Sequence, residues 1–349
     1  MKDISPKPRI FVAGGTGYIG SHTAVELIQA GYNVTIVDDL SNSSASVIDG
    51  IAEITGVRPD FVEGDCTDIN VVDKVFANYP DIKAVINFAA FKAVGESVQR
   101  PLAYYRNNLN IILNLLDSMT RHGVKDFVFS SSCTVYGQPD ENPVTENSPV
   151  KKALSPYGNT KQIAEEIIMD AISSGAALDA VILRYFNPVG AHPSSLIGEM
   201  PNGVPLNLVP YLTQAAMGIR KELSVFGDDY DTPDGTCIRD YIDITDLAKA
   251  HVYAVDRLLG GKMETPVEIF NIGTGNGVSV RELIDTFQAA TGVNVPHRIA
   301  PRRAGDIAKV WADPARANGV LGWHATVPLA ETLLNAWKWQ VALRERGIQ

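Results

Sequence analysis

Cysteine, histidine and basic side chains are scarce in this 349-residue sequence, and each shortage excludes a class of site or partner. Its three cysteines, Cys66, Cys133 and Cys237, form no C-x-x-C pair, so neither a disulfide framework nor a zinc site is predicted. The six histidines lack ligand spacing, and no metal is expected. Forty acidic against 30 basic side chains give a net charge of -10, which disfavours nucleic acid and anionic membranes as partners. No apolar run is long enough to span a bilayer, and we expect a cytoplasmic protein.

A strand-like apolar run at residues 10–13 ends in a glycine-rich turn at residues 14–20, ahead of an amphipathic stretch. Glycines in such a turn let the backbone approach a pyrophosphate closely, and the helix that follows directs its amide N–H groups at those oxygens. A second apolar run, residues 33–37, ends in Asp38 and Asp39, about 20 residues after the glycines, where a ribose-binding carboxylate is expected. The two features predict a dinucleotide-binding unit; the alternative is an acidic strand-to-loop turn.

Strand-like runs alternate with helix-period segments along the first half of the chain. The runs lie at residues 10–13, 34–38, 60–62, 84–88, 126–129 and 180–185. This alternation predicts an α/β fold, a Rossmann-type doubly wound parallel sheet with ligands beyond the carboxyl ends of its strands. Loop-rich sequence after Tyr185 predicts a boundary there. We expect a dinucleotide-binding domain at residues 1–186, rejoined by a segment at about 238–275, and a smaller α/β substrate-binding lobe at 187–349.

A helix is predicted to begin at Ser155 and Pro156, because serine caps helices and proline is tolerated in the first turn. Tyr157 and Lys161 are then neighbours one turn apart, and a nearby ammonium lowers the pKa of a phenol. That pair could serve as a general base. Hydroxyls at residues 130–134, placed just after the fifth predicted strand, could orient a substrate hydroxyl. Tyrosine and lysine at this spacing are common, and it is the glycine turn and Asp38 that favour a catalytic interpretation.

These motifs together resemble the extended short-chain dehydrogenase/reductase family. The shared features are residues 14–20, Asp38, the serine cluster and the Tyr157-x-x-x-Lys161 pair. Within that family, four further segments look like the UDP-galactose 4-epimerases: residues 91–97 (FKAVGES), 185–193 (YFNPVGAHP), 239–241 (RDY) and 300–306 (APRRAGD). The resemblance covers about residues 9 to 339.

The resemblance implies NAD as cofactor and a UDP-hexose as substrate. It makes Tyr157 the acid/base, Ser132 its assistant at the sugar 4-hydroxyl, and Lys161 a ligand of the nicotinamide ribose that lowers the Tyr157 pKa. The implied cofactor-binding residues are Gly14, Gly17, Tyr18, Ile19, Gly20, Asp38, Asp39, Asp65, Cys66, Phe88, Lys92 and Tyr185. The implied substrate-binding residues are Thr134, Asn187, Asn207, Leu208, Phe226, Arg239, Arg303, Asp306 and Val310, with the arginines on the diphosphate.

The implied reaction is an NAD-dependent interconversion of UDP-glucose and UDP-galactose by C4 oxidation, rotation of the 4-keto sugar and re-reduction. A sugar-nucleotide 4,6-dehydratase is one alternative, but that branch carries an Asp-Glu pair where this chain has Cys133 and Thr134. A non-catalytic NAD-binding sensor of the same fold is another, although such proteins usually lack the tyrosine and lysine.

Two further expectations leave alternatives open. Val310 stands where some family members carry a bulky tyrosine, so we hypothesise that N-acetylated UDP-hexosamines are accepted as well; the alternative is that Val310 only packs at a lobe interface. Amphipathic segments at residues 102–119 and 162–172 match helices that pair family members as homodimers, but helices that cover their own sheet look the same.

Overall fold

The computed structural model describes residues 8–303 and 306–348. Its strands are β1 (Arg9–Ala13), β2 (Asn33–Asp38), β3 (Asp60–Glu63), β4 (Ile82–Asn87), β5 (Asp126–Ser132), β6 (Asp179–Tyr185), β7 (Asn187–Val189), β8 (Leu223–Phe226), β9 (Ile238–Arg239), β10 (Tyr241–Asp243), β11 (Val267–Ile272), β12 (Val278–Ser279), β13 (His297–Ala300) and β14 (Lys309–Val310). Its α-helices are α1 (Tyr18–Gln29), α2 (Ser46–Thr55), α3 (Ile69–Asn78), α4 (Val94–Gln99), α5 (Pro101–His122), α6 (Pro156–Ser173), α7 (Leu208–Ala216), α8 (Ile244–Leu259), α9 (Val280–Thr291) and α10 (Leu329–Glu345). Ala304 and Gly305 of the 300–306 motif lie outside the described residues.

Seven strands form one sheet in the order β11-β6-β5-β4-β1-β2-β3. The pairs β1–β2, β1–β4, β2–β3 and β4–β5 are parallel. Nearly all residues of β1 and β5 are buried, as expected for parallel strands covered by helices on both faces. The predicted α/β fold with a doubly wound parallel sheet is confirmed.

Contacts between residues divide the chain into two units. The first contains the described residues up to Gly137, then Val150–Arg184 and Ala248–Phe270. The second contains Gln138–Pro149, Tyr185–Leu247 and the described residues from Asn271 onward. The assignment of a dinucleotide-binding domain and a substrate lobe to sequence ranges stays a prediction.

One apolar core layer of the first unit lies between the sheet and helices α3, α5 and α6. Ile112 and Leu115 of α5 and Ile168 of α6 are buried in one cluster with Phe127 and Val85 of the sheet. Helix α5 begins with Pro101, whose missing N–H costs nothing at a first turn, and is followed by Gly123 in the left-handed conformation. None of the described helices is both long and apolar enough to cross a bilayer.

The second unit joins short strands to helices α7, α9 and α10. Strand β9 lies between β12 and β14, β7 pairs with β10, and β8 pairs with β13. The three helices share one apolar core, to which they contribute the buried residues Leu212, Phe287 and Leu333 respectively. Helix α9 begins with a capping box, in which the Ser279 hydroxyl accepts the Glu282 N–H while the Glu282 carboxylate accepts the Ser279 N–H.

Two strand ends differ from the prediction. Strand β5 continues through Ser132, so the serines at 130–132 lie inside the strand rather than after it. Strand β4 stops at Asn87, and Phe88 turns back to donate its N–H to the Ala13 carbonyl at 2.8 Å. The predicted β5 ended before its three serines because they are polar, and the sequence alone does not show that neighbouring strands and helices bury them.

Candidate active site

The glycine turn joins β1 to α1 and is too tight for side chains at two positions. Gly14 has a φ of +76°, and a Cβ there would lie 2.6 Å from the Ala89 nitrogen. A Cβ on Gly20 would lie 2.3 Å from the Gly14 carbonyl oxygen. Helix α1 begins directly after Gly17, so its N-terminal amide groups and positive dipole end border the turn. This is the arrangement that receives a phosphate group.

Asp38, the last residue of β2, is bound to the same turn. Its carboxylate accepts the Thr16 N–H at 3.1 Å, the Leu40 N–H at 3.0 Å and the Ser43 hydroxyl at 3.0 Å. A carboxylate has about four acceptor positions, which leaves one for a ligand hydroxyl. Asp39 beside it is exposed and accepts from the N–H and hydroxyl of Ser41.

Several other predicted cofactor residues lie around this turn. Burial, together with the charges of Asp65, Asp38 and Asp39, raises the pKa of the Cys66 thiol to about 12, so Cys66 is an inert group close to those carboxylates. The Lys92 ammonium lies 6.0 Å from the ring centre of Tyr18, which with Ile19 begins α1.

Two aromatic residues complete the predicted cofactor set. The ring of Phe88 lies 4.7 Å from that of His251, between ring centres. Tyr185 is the buried last residue of β6. Both follow or end strands of the seven-stranded sheet.

The predicted catalytic residues meet where β5 ends beside the start of α6. The Ser155 hydroxyl accepts the Gly158 N–H at 3.1 Å and so caps the helix as predicted. The Ser132 side chain lies close enough to the phenol of Tyr157 to lower its pKa. Lys161 is buried one turn further on, with its ammonium 6.0 Å from the Tyr157 ring centre. The three side chains expected to act together are therefore adjacent.

The expected lowering of the Tyr157 pKa is wrong for the protein chain itself. Burial raises the pKa of this phenol, the Cys133 thiol raises it further, and the hydrogen bond from Ser132 opposes them. The Lys161 ammonium instead donates to the Ser130 carbonyl at 2.5 Å. Burial also lowers the pKa of Lys161 to about 8, against the charge of Glu165.

Sequence reasoning missed the buried groups behind this site. Glu165 accepts the Ser131 hydroxyl and forms an ion pair with Arg184. Arg184 also donates to the Tyr136 hydroxyl at 3.1 Å. The available signal was the spacing of four that places Tyr157, Lys161 and Glu165 on one helix face.

In the second unit, strand pairing joins two of the predicted substrate residues. Arg239 of β9 pairs with Val310 of β14, which is buried. Burial raises the pKa of Tyr241, the charge of Arg239 lowers it, and that of Asp306 raises it. Arg239 and Asp306 therefore both lie within electrostatic range of the Tyr241 phenol.

The other predicted substrate residues of this unit are mainly exposed. The guanidinium of Arg303 lies 5.4 Å from the ring centre of Phe226 and forms an ion pair with Asp306 at 2.9 Å. Asn207 precedes Leu208, the first residue of α7, and donates to Glu199 at 2.7 Å.

Two predicted substrate-binding residues, one in each unit, have a buried side-chain oxygen that lacks a hydrogen-bond partner among the described residues. They are the Asn187 Oδ1 in the second unit and the Thr134 hydroxyl in the first. Buried polar groups normally have hydrogen-bond partners, so each of these oxygens can accept a hydrogen bond from a ligand.

Comparison with known proteins decides among the families that use such a site. The model of the NAD dependent epimerase/dehydratase family matches residues 10–273. The chain belongs to this family. Among its members, UDP-glucose 4-epimerase of Bacillus subtilis is 50% identical over 331 residues, covering 95% of this chain and 96% of that protein.

Two solved structures of UDP-glucose 4-epimerases share the fold. The enzyme from Stenotrophomonas maltophila, with bound NAD and formylated UDP-arabinopyranose, superimposes with a TM-score of 0.94 at 47% identity, covering 97% of this chain and 100% of that one. The enzyme from Bifidobacterium longum, in complex with NAD+ and UDP, gives 0.91 at 45% identity, covering 96% and 98%.

The first unit fits the dinucleotide expected in an NAD dependent epimerase/dehydratase. Its glycine turn has no room for a Cβ at Gly14 or Gly20, and Asp38 keeps an acceptor position. Among the residues that the structure describes, no group of three or more His, Cys, Asp or Glu side chains is placed to hold a metal ion. All three cysteines are described, and none forms a disulfide.

Proposed function

We propose that this chain is an NAD-dependent UDP-glucose 4-epimerase, which interconverts UDP-glucose and UDP-galactose. The observation that carries the proposal is the placing of Ser132 beside Tyr157, with Lys161 one helical turn away, in a chain that matches a UDP-glucose 4-epimerase along 95% of its length. Cys133 and Thr134, which follow Ser132, supply no carboxylic acid for a dehydration.

The glycine turn and Asp38 would hold NAD. Amide groups at the start of α1 would bind its pyrophosphate, and Asp38 the hydroxyls of its adenosine ribose. The same carboxylate repels the additional phosphate of NADP, which favours NAD. When bound, NAD supplies the exchange of the C4 hydrogen as hydride.

Tyr157 takes the proton of the sugar 4-hydroxyl while the C4 hydrogen leaves, and returns that proton when hydrogen is delivered to the opposite face. Ser132 donates to the phenolate and keeps it aimed at the substrate hydroxyl. Because burial raises the pKa of Tyr157, the base needs nearby positive charge. The Lys161 ammonium and, when bound, the nicotinamide ring would provide it.

Residues of the second unit would hold the nucleotide sugar. Arg239 and Arg303 would bind the diphosphate by charge-assisted hydrogen bonds, with Asp306 orienting Arg303. Phe226, 41% exposed, offers an aromatic face to the base, and Asn187 offers its unpartnered oxygen to a hydroxyl or N–H of the substrate.

Incubation of the purified protein with UDP-galactose tests the proposal. UDP-glucose should form without net consumption of NAD, approaching the same mixture from either sugar. A 4-keto-6-deoxy sugar would instead identify a dehydratase. If no product forms even when NAD is supplied, a non-catalytic NAD-binding sensor of the same fold would be favoured.

We also propose that N-acetylated UDP-hexosamines are substrates, because Val310 is small and pairs with Arg239. Val310→Tyr should suppress turnover of UDP-GalNAc while sparing UDP-galactose. Val278→Tyr, which adds the same bulk on the other neighbour of Arg239, is the control and should affect both substrates alike. Equal loss on both substrates with Val310→Tyr would contradict the idea.

We also propose that the protein is a homodimer in the cytoplasm. Leu102 and Leu113 of α5 are 74% and 49% exposed, and pairing of two copies along this helix would cover both. Sedimentation should give a dimer mass that Leu102→Glu with Leu113→Glu halves, whereas Val57→Glu, at an equally exposed apolar residue outside α5, leaves it unchanged. A wild-type monomer would contradict the dimer.

A further inference from the structure

Three successive serines at the end of β5 each meet one residue of a single face of α6. The Ser132 side chain lies beside the Tyr157 phenol, the Ser130 carbonyl accepts from Lys161, and the Ser131 hydroxyl donates to Glu165. The helix residues are spaced by four, so they form one row along the helix. The first two belong to the proposed chemistry, and the third has no part in it.

Glu165 is built into the interior rather than left on a surface. Glu165, Arg184 and Ser131 are 3%, 3% and 0% exposed. Two nitrogens of Arg184 bond to the two carboxylate oxygens of Glu165, and its third bonds to Tyr136. A bidentate pair of this kind fixes direction as well as distance.

Burying such a pair is a poor way to stabilise a fold, because apolar residues of similar volume serve as well or better. A buried pair that also holds a side chain of the strand next to the catalytic serine has another use. We propose that Glu165 is a positioning residue: through Ser131 it locks the end of β5 to α6 and so holds Ser132 beside Tyr157.

The lock acts on geometry and on charge. With Ser131 bound, the backbone on either side of it is held, which fixes the Ser132 hydroxyl and the Ser130 carbonyl. Glu165 is also the acidic group nearest in the row to Lys161, and its charge supports the protonated ammonium against burial. The inference rests on the proposed epimerase function, because it assigns a role in the same site.

Other charged and titratable groups surround this row. Lys161 is faced by Phe129 and the Ser130 carbonyl on β5, and by Tyr157 and Glu165 on its own helix. Arg184 on β6 lies behind Glu165, beside Tyr136. Cys133 and Tyr104 lie near Tyr157, and Tyr104 is hydrogen-bonded to Glu96. Glu165→Gln removes the negative charge and leaves Arg184 positive. Lys161 then loses its proton at lower pH.

Ser131→Ala tests the geometric part, because it removes the link and keeps the ion pair. Its kcat on UDP-galactose should fall about tenfold, with KM within twofold and the alkaline limb of the pH profile unmoved. Hydrogen exchange of the peptide covering residues 126–132 should become faster. Ser118→Ala is the matched control, a buried serine that serves the Asp73–Arg121 pair on α3 and α5, and it should change none of these.

Glu165→Gln tests the charge, because the amide keeps an acceptor for Ser131. The alkaline limb of kcat should move to lower pH. The proposal would be overturned if Ser131→Ala matched Ser118→Ala in both kcat and hydrogen exchange. It would also be overturned if the alkaline limb of the kcat profile did not move in Glu165→Gln. If Glu165→Gln does not fold, Ser131→Ala decides alone. If the wild type has no epimerase activity, the proposed function fails, while the exchange comparison still decides the positioning role.

Discussion

The two units place their candidate residues in opposite physical settings. In the first, Ser132 lies in a seven-residue strand and Lys161 in an 18-residue helix, and they are 8% and 5% exposed. Each is hydrogen-bonded to a backbone group, the Thr134 N–H for Ser132 and the Ser130 carbonyl for Lys161. In the second, Arg303 has a 59% exposed side chain, and Phe226 ends a four-residue strand. The first setting holds atoms to fixed positions, whereas the second offers charge and an aromatic face that adapt to a ligand.

This difference predicts a division of kinetic effects. A reacting group must be held within a fraction of an ångström, so changes in the first unit should lower kcat. Groups that hold the nucleotide bind substrate and transition state equally, so changes in the second should raise KM. The predictions that follow test that division.

Tyr157→Phe should have the largest effect, a loss of about 10³-fold in kcat, because it removes the acid/base and nothing else. Steady-state rates on UDP-galactose measure it. Tyr32→Phe is the control, since it removes the hydroxyl of a buried tyrosine outside the candidate site, one that is bonded to the Asp256 carboxylate. Similar rates for both variants would remove Tyr157 from the mechanism.

Gly20→Ala should weaken NAD binding about 10- to 100-fold, because the new methyl would overlap the Gly14 carbonyl oxygen and push the turn apart. The NAD released by denaturing the purified protein, and titration with added NAD, measure the loss. Gly319→Ala meets nothing within 4 Å and serves as control. Full NAD content in Gly20→Ala would contradict the assignment of the turn.

Arg239→Ala should raise KM for UDP-galactose about 10- to 100-fold and change kcat little, because a charge-assisted bond to the diphosphate is lost. Arg298→Ala, which removes an exposed arginine paired with Glu222, should leave both constants unchanged. A fall in kcat at constant KM would break the division between the two units.

The smallest effect is that of pH. Lys161 is charged below its pKa of about 8 and neutral above it. In the proposed mechanism its charge stabilises the phenolate of Tyr157, whose ring centre lies 6.0 Å from the ammonium. Activity should therefore fall a few-fold as the pH rises from about 7.5 to 9. Lys161→Met should lower kcat and abolish this limb. A limb that persists in Lys161→Met belongs to another group.

The sequence predicted the fold well where patterns are local. Apolar runs identified all six strands of the N-terminal half, and the helix capped by Ser155 began where expected. The end of β5 was misplaced because Ser130 and Ser131 read as a loop. They are buried only because helix and strand neighbours supply their hydrogen bonds.

The site was predicted less completely, for a physical reason. Motif spacing brought Tyr157 and Lys161 together, but the sign of the Tyr157 pKa shift depends on burial, which spacing does not show. Glu165 and Arg184 are 19 residues apart, and their pairing follows from packing of α6 on the sheet.

Conversion of UDP-galactose labelled with deuterium at C4 tests the central claim most directly. We predict UDP-glucose that keeps the deuterium at C4, because the hydrogen removed from that carbon returns to the same sugar from the other face. Product that carries solvent hydrogen at C4 would contradict it.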